Sequence, residues 1–324
     1  MSLLLLLIIP KVALCNPLQN ETITLIVPNA AGGLMARYAR MIEPFLEKHL
    51  EVNNVQIRIM TGGGNIRGAN HVWFAEPDGT TIGFTSIPTL VLAQFSNSPA
   101  VQFDISQFEY LGRASTEPRV LVVGANSGIE SLEELLALNR PFIFPSQGTD
   151  EDFFTMIILA DGLGIELKPI MGYNGNPDTA MAIIRGDGDG QITSWRASMG
   201  AIQNSDLLPL ISMSNARIEG FNEVPSVLEI TPSARIEPIR AIVDMLDTHR
   251  GFFAPPETSP EIVKYLRDKI FLALTDPELK QLANLSTLPL GPSHGDQEMG
   301  KIRQLISSEG LIMPILENTL NSLR

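Results

Sequence analysis

Short runs of β-branched and aliphatic residues alternate along this chain with longer stretches whose apolar positions recur every three or four residues. The first pattern fits buried strands and the second amphipathic helices, so their alternation predicts an α/β fold, a parallel sheet wrapped by helices. Strands are expected at TITLIV (Thr22–Val27), VQIRIM (Val55–Met60), TTIGFT (Thr80–Thr85), RVLVV (Arg119–Val123), PFIF (Pro141–Phe144), ELKPIM (Glu166–Met171) and LLPLISM (Leu207–Met213). Between the first two, Leu34, Tyr38, Met41, Phe45 and Leu46 mark the apolar face of a helix from about Leu34 to Leu50. The segment TPSARIEPIR, near residue 231, reads as a surface connection.

Junctions that run from a strand into a helix follow five of these strands, four of them with glycine. VPNAAGGLMAR runs the first strand through Asn29, Ala30, Ala31, Gly32 and Gly33 directly into a helix. TGGGNIRG, with Gly64 and Asn65, follows the second, and TSIP, with Thr85 and Ser86, the third. PSQGTDED supplies Ser146, Gln147, Gly148 and Thr149, and GYNGNPDTA supplies Tyr173, with Pro177 suited to a first helical turn. A glycine pair lets the backbone turn without covering its amides, and the helix that follows presents unsatisfied N–H groups at its positive end. Such junctions suit an anion, and in an open parallel sheet they gather at the carboxyl ends of the strands, where ligands bind. One such junction alone is usually only a connection; five facing one crevice carry more weight.

The 324 residues, 44% of them hydrophobic, suffice for one large or two ordinary domains with substantial cores. The net charge of −13, with Lys and Arg scattered, argues against nucleic acid or an anionic membrane surface as partner. The apolar run Leu3–Ile9 is too short to span a bilayer and fits the core of an export signal, although no basic residue precedes it. Cys15 is the only cysteine, and Leu14 before it disfavours a lipid anchor; soluble export with cleavage near residues 15–20 is expected, leaving a thiol-free mature chain.

Enzymatic chemistry finds little support in the residues. Gly62, Gly64 and Gly68 miss the G-x-G-x-x-G spacing by one residue, and no Lys-Ser or Lys-Thr follows to form a phosphate loop. His49, His71, His249 and His294 lack ligand spacing, so neither metal nor cofactor is expected. Ser146 lacks the preceding glycine of a nucleophile elbow. Asp187 and Asp189, bracketed by glycines in RGDGDGQ, are the one close carboxylate pair, readable equally as a solvated turn or as part of a site.

The succession ITLIVPNAAGGLMARYAR, TGGGNIRGANHVWFAEPDGTTIGF, GYNGNPDTAMAIIRGDGDG, EVPSVLE and FFAPPETSPEIVKYL resembles the solute-binding proteins of the tripartite tricarboxylate transporter family, also called Bug proteins. The A-x-P-D-G-x-T element, Ala75–Thr81, is among its more specific parts. The resemblance implies a type II periplasmic-binding-protein fold with a ligand cleft between two α/β domains. It would comprise a signal segment at 1–21, a first domain at 22–123 plus 251–324, and a second at 124–250, hinged at RVLVVG and GFFAPP. It further implies a periplasmic monomer without catalysis that captures a small carboxylate and delivers it to the transmembrane subunits of such a transporter. A carboxylate sensor feeding a two-component kinase, or an enzyme on the same fold, are the alternatives. In the family's first-loop pattern Pro28, Ala30, Gly32 and Gly33 are kept, while Asn29 replaces an aromatic residue, Ala31 a proline and Ala36 an aspartate. Ser146, Gln147, Gly148 and Thr149 match its second-domain loop, Tyr173, Gly175 and Pro177 its Tyr-Gly-Pro element, and Asp189, after Gly188, its Gly-x-Val-Asp element.

Overall fold

The structure, a computed structural model, describes residues 16–322. The signal run and Cys15 lie outside these residues. β1 (Thr22–Val27), α1 (Leu34–Leu50), β2 (Asn54–Ile59), α2 (Ile66–Trp73), β3 (Thr81–Thr85), α3 (Ile87–Phe95) and β4 (Glu109–Arg113) follow in order. β1 pairs in parallel with β2 and β3, Leu25 lying opposite both Ile57 and Ile82. Its side chains from Ile23 to Val27 are almost all buried because helices cover both faces.

The chain then crosses into a second α/β body. There β5 (Arg119–Gly124), α4 (Leu132–Leu136), β6 (Phe142–Ser146), α5 (Glu151–Leu163), β7 (Leu167–Met171), α6 (Asn176–Arg185), β8 (Gly190–Ser194), α7 (Trp195–Gln203), β9 (Leu207–Met213), α8 (Val227–Ile230) and α9 (Ile236–Leu246) succeed one another. β5 runs antiparallel between β8 and β9, β6 pairs in parallel with β7, and the Asp189 amide ties β6 to the start of β8 through the Ile143 carbonyl at 2.8 Å. The return places β10 (Gly251–Ala254), α10 (Pro260–Thr275), α11 (Pro277–Leu285), β11 (Ser293–His294), α12 (Gly295–Ile306) and α13 (Glu309–Ser322). β10 inserts antiparallel between β3 and β4, completing a six-stranded sheet ordered β11-β4-β10-β3-β1-β2.

The six-stranded sheet is therefore mixed and the three-stranded sheet β8-β5-β9 wholly antiparallel, where alternation alone suggests parallel ones. β5 and β10 each enter from the other body rather than from a local crossover helix, so no right-handed β–α–β return dictates their direction. β5 is the middle strand of the second sheet, and we propose a division between the domains at residues 114–118, ahead of it, rather than after residue 123. Residues 16–21, counted with the signal segment, belong to the folded body. Leu18 is 1% exposed, and Asn16 Nδ2 donates to the Leu50 and Glu51 carbonyls, both at 3.1 Å. The connection near residue 231 contains a 3-10 turn and the start of α9. β4 and β8 escape the hydrophobic pattern; in β8 the buried Gln191 is matched to the Thr179 hydroxyl rather than replaced by an apolar residue.

Packing makes the strand ends rigid. Phe84 stacks on Phe252 at 4.4 Å between centroids, and the Phe253 ring lies so close over Gly83 that a Cβ there would sit 2.2 Å from Cζ. α2 approaches β1 at Gly68, where a Cβ would meet Pro28 at 2.6 Å. The loops between strand and helix thus project from a fixed base.

Candidate functional site

Three first-domain loops share one edge. Gly33 begins α1, Asn65 begins α2 and Ser86 begins α3; none of the three starts has a side-chain cap or an acidic residue in its first turn among the described residues. No side chain covers these starts, and the positive end of each helix lies behind them, although the Ile66 and Arg67 amides of α2 already donate to the Gly63 and Gly62 carbonyls and Pro88 in the first turn of α3 has no N–H. Gly33 N donates to Ala30 O at 2.9 Å, which closes the Ala30–Gly33 turn and leaves Ala30, Ala31 and Gly32 exposed. Asn29 accepts from Thr85 Oγ1 at 3.3 Å and joins the first and third loops. Ala36 is fully buried in the core.

The second-domain loops meet them. A Cβ on Gly64 would lie 3.0 Å from the Thr149 carbonyl, so these two loops touch across the cleft. Ser146 Oγ donates to Gly148 O at 2.9 Å, and Gln147 Nε2 donates to Asp150, so the polar groups of this loop are directed largely at one another. The Gly172 and Tyr173 amides donate to Ser146 O at 3.1 and 3.3 Å, tying in the loop after β7.

Beneath these loops lies a buried charged layer. Arg119 Nε lies 2.6 Å from Glu151 Oε1 and 3.3 Å from Asp152 Oδ1, and its Nη2 is 2.9 Å from His249 Nε2. Ser86 Oγ donates to Glu151 Oε2, bridging the two domains at α3 and α5. Arg250, 1% exposed, donates to Glu117 and lies 4.4 Å over the Tyr38 ring. Glu117 also accepts from the Ser194 hydroxyl and from the Arg196 amide at 2.8 Å, filling the start of α7.

Burial, with Arg119 and Arg250 beside it, holds His249 well below its ordinary value, so the ring is neutral and its Nε2 accepts from Arg119. Burial opposes ionisation of Glu117, but Arg250, Ser194 and Arg119 outweigh it and keep the carboxyl below the usual range. Asp152 is pushed up to about 7, chiefly by burial; Arg119 pulls the other way, while Asp150 and Glu151 add to the rise.

The sequence pattern of the tripartite tricarboxylate transporter family receptor matches residues 39–312. The chain belongs to that family. A UPF0065 protein of Agrobacterium vitis is 25% identical over 307 residues, covering 90% of this chain and 85% of its own. The periplasmic binding protein BugD superposes with a TM-score of 0.73 at 17% identity, over 91% of this chain and 97% of its own. MatC from Rhodopseudomonas palustris, solved with bound malate, gives 0.72 at 18% identity, over 91% and 99%. The fold is thus that of the type II periplasmic binding proteins, two α/β domains with a cleft between them.

Set in this family frame, Asn29, Ala30, Ala31, Gly32, Gly33, Gly64, Asn65, Thr85, Ser86, Ser146, Gln147, Gly148 and Thr149 come together where the domains face each other, with Tyr173 at the side. Asp189 stands apart from this group. It precedes β8, at the end of that strand remote from Ser194, and Arg140 grips it with two bonds of 2.6 and 2.8 Å while the Ile143 amide donates at 2.7 Å. Its carboxylate is a strap between β6 and β8. Motif reasoning missed Glu117, Arg119, Glu151, Asp152, His249 and Arg250. The acidic run of PSQGTDED was a usable signal, since acids concentrate in first helical turns, but the crossing residues carry none.

Proposed function

We propose that this chain is an extracytoplasmic receptor that captures a small carboxylate-bearing solute between its domains and delivers it to the membrane subunits of a tripartite tricarboxylate transporter. The observation that carries this reading is the group of uncapped helix starts of α1, α2 and α3, gathered at the carboxyl ends of parallel strands and facing the second domain. Each start favours an anion by about 0.3–1 kcal/mol when exposed, and by more when water is excluded. Family membership and the malate seated in MatC point the same way. The receptor works beside its permease as a monomer; among the described residues no helix is long and apolar enough to cross a membrane.

Domain closure supplies the capture step. The segments at 114–118 and 247–250 are the connections about which the domains turn, and the Ser86–Glu151 and Gly64–Thr149 contacts form as they meet. A thermal-shift screen over mono-, di- and tricarboxylates tests binding. A true ligand at a hundredfold above its Kd raises stability by about 2.7 kcal/mol. Deleting the gene then abolishes uptake of that solute. A screen with no saturable shift for any carboxylate overturns the reading.

A further inference from the structure

The two walls of the cleft are finished in opposite ways. On the first domain, α1, α2 and α3 start without a side-chain cap and without an acid of their own in the first turn, among the described residues, and only at α3 does a carboxylate of the other wall, Glu151, reach the starting Ser86 hydroxyl. On the second, α5 starts at Asp150, whose Oδ1 accepts from the Phe153 amide at 3.0 Å, and carries Glu151 and Asp152 in its first turn. The start of α7 is filled by Glu117 through the Ser194 hydroxyl and the Arg196 amide. The helix ends that would draw an anion to this wall already hold the protein's own carboxylates.

Charge within the layer does not balance. Glu117, Asp150, Glu151 and Asp152 are four carboxylates, while Arg119 and Arg250 are two guanidiniums and His249 is neutral. Arg250 is committed to Glu117, and Arg119 is shared between Glu151 at 2.6 Å and Asp152 at 3.3 Å, so the acids outnumber the cations at the start of α5. Asp152 is 7% exposed, and its Oδ1 has no hydrogen-bond partner among the described residues. That carboxyl borders a cavity of about 10 Å³, shared with Ser146, Gln147, Asp150 and Asn176, near the lower limit for a single water-sized group. The groups acting on Asp152 are Arg119 from β5, Asp150 and Glu151 from α5, and the neutral Asn176 amide from α6, which donates to Oδ2 at 2.9 Å.

We propose that the solute bears a cationic amino group besides its carboxylate, the amine lying against Asp152 and Asp150 at the start of α5 and the carboxylate against the uncapped amides of the first domain. This rests on the receptor reading of the cleft and narrows its ligand class. A solute with carboxylates at both ends sets one of them against the surplus acid of α5, whereas an ammonium group neutralises that surplus and gives Asp152 Oδ1 a donor. The uncapped and acid-capped walls then orient the molecule across the cleft in one direction.

The test is calorimetry on the full chain with pairs that differ by one amine: propionate and β-alanine, butyrate and 4-aminobutyrate, succinate and aspartate, with butylamine as the acid-free control. The amine-bearing acid of at least one pair binds tenfold or more tighter than its partner, and Asp152→Asn removes most of that preference. Asp150→Asn, which keeps a good helix cap, is the second variant if the first does not fold. Equal or tighter binding of the amine-free acids overturns this inference and leaves the receptor reading standing. Butylamine binding as tightly as 4-aminobutyrate overturns the carboxylate assignment of the first-domain wall. No binding of any of the seven compounds overturns the aminocarboxylate class, and the wider carboxylate screen then decides the receptor reading separately.

Discussion

Replacing Asp152 by Asn converts a buried, titrating acid into its neutral isostere, and the consequence is a change in how stability depends on pH. The folded-state value is raised from 3.8 to about 7, mainly by burial. Between those two values the folded protein holds more protons than the unfolded chain, so stability falls as pH rises through this window. About three units at about 1.36 kcal/mol each make the full loss roughly 4 kcal/mol, complete above pH 7 and less than half developed at pH 5. Asp152→Asn escapes it. The new side-chain amide faces Arg119 Nε, 3.3 Å from Oδ1 in the native protein, and brings an offset of its own that does not vary with pH. Urea unfolding of both proteins from pH 5 to 8 should therefore show the stability difference moving in favour of Asn by about 2–3 kcal/mol. Parallel stability curves across that range would refute the assignment of Asp152 as the group that resists ionisation.

Three further outcomes follow from the same contacts. Arg250→Met leaves Glu117 buried without its cation and should destabilise the protein by about 3–5 kcal/mol in chemical denaturation, and adding Glu117→Gln should recover much of it. Gly33→Val brings a branched Cβ to within about 3.2 Å of Ala30 O at the mouth of α1 and should weaken solute binding by about 1 kcal/mol or more in calorimetry, whereas Gly32→Ala, with no atom within 4 Å of the added Cβ, should bind as the native protein does. Asp189→Ala removes the strap to Arg140 and Ile143; melting should reveal a loss of about 1–3 kcal/mol, with affinity unchanged.

Local pattern alone determined a good deal of this protein. The helix Leu34–Leu50 and the strands Thr22–Val27 and Leu207–Met213 lie where periodicity places them, because burying one helical face or both strand faces leaves a periodic trace in the residues themselves. Glycine junctions marked the loops after β1, β2 and β6 for a related reason, since a bare backbone is a local property. Strand direction was different. β5 and β10 look like any other buried strand, and only the two crossings at 114–118 and 247–250 turn them against their neighbours. The charge of the cleft was equally invisible along the chain. Glu117 and Arg250 are 133 residues apart, and Arg119 meets Glu151 and His249 across 32 and 130, so no spacing rule joins them. Asp189 shows the converse: a motif position that local reasoning sent to the ligand is held by Arg140, 49 residues away, at the other end of its strand. Hydrophobic burial is written residue by residue, but which charge meets which depends on distances that exist only once the sheets have packed.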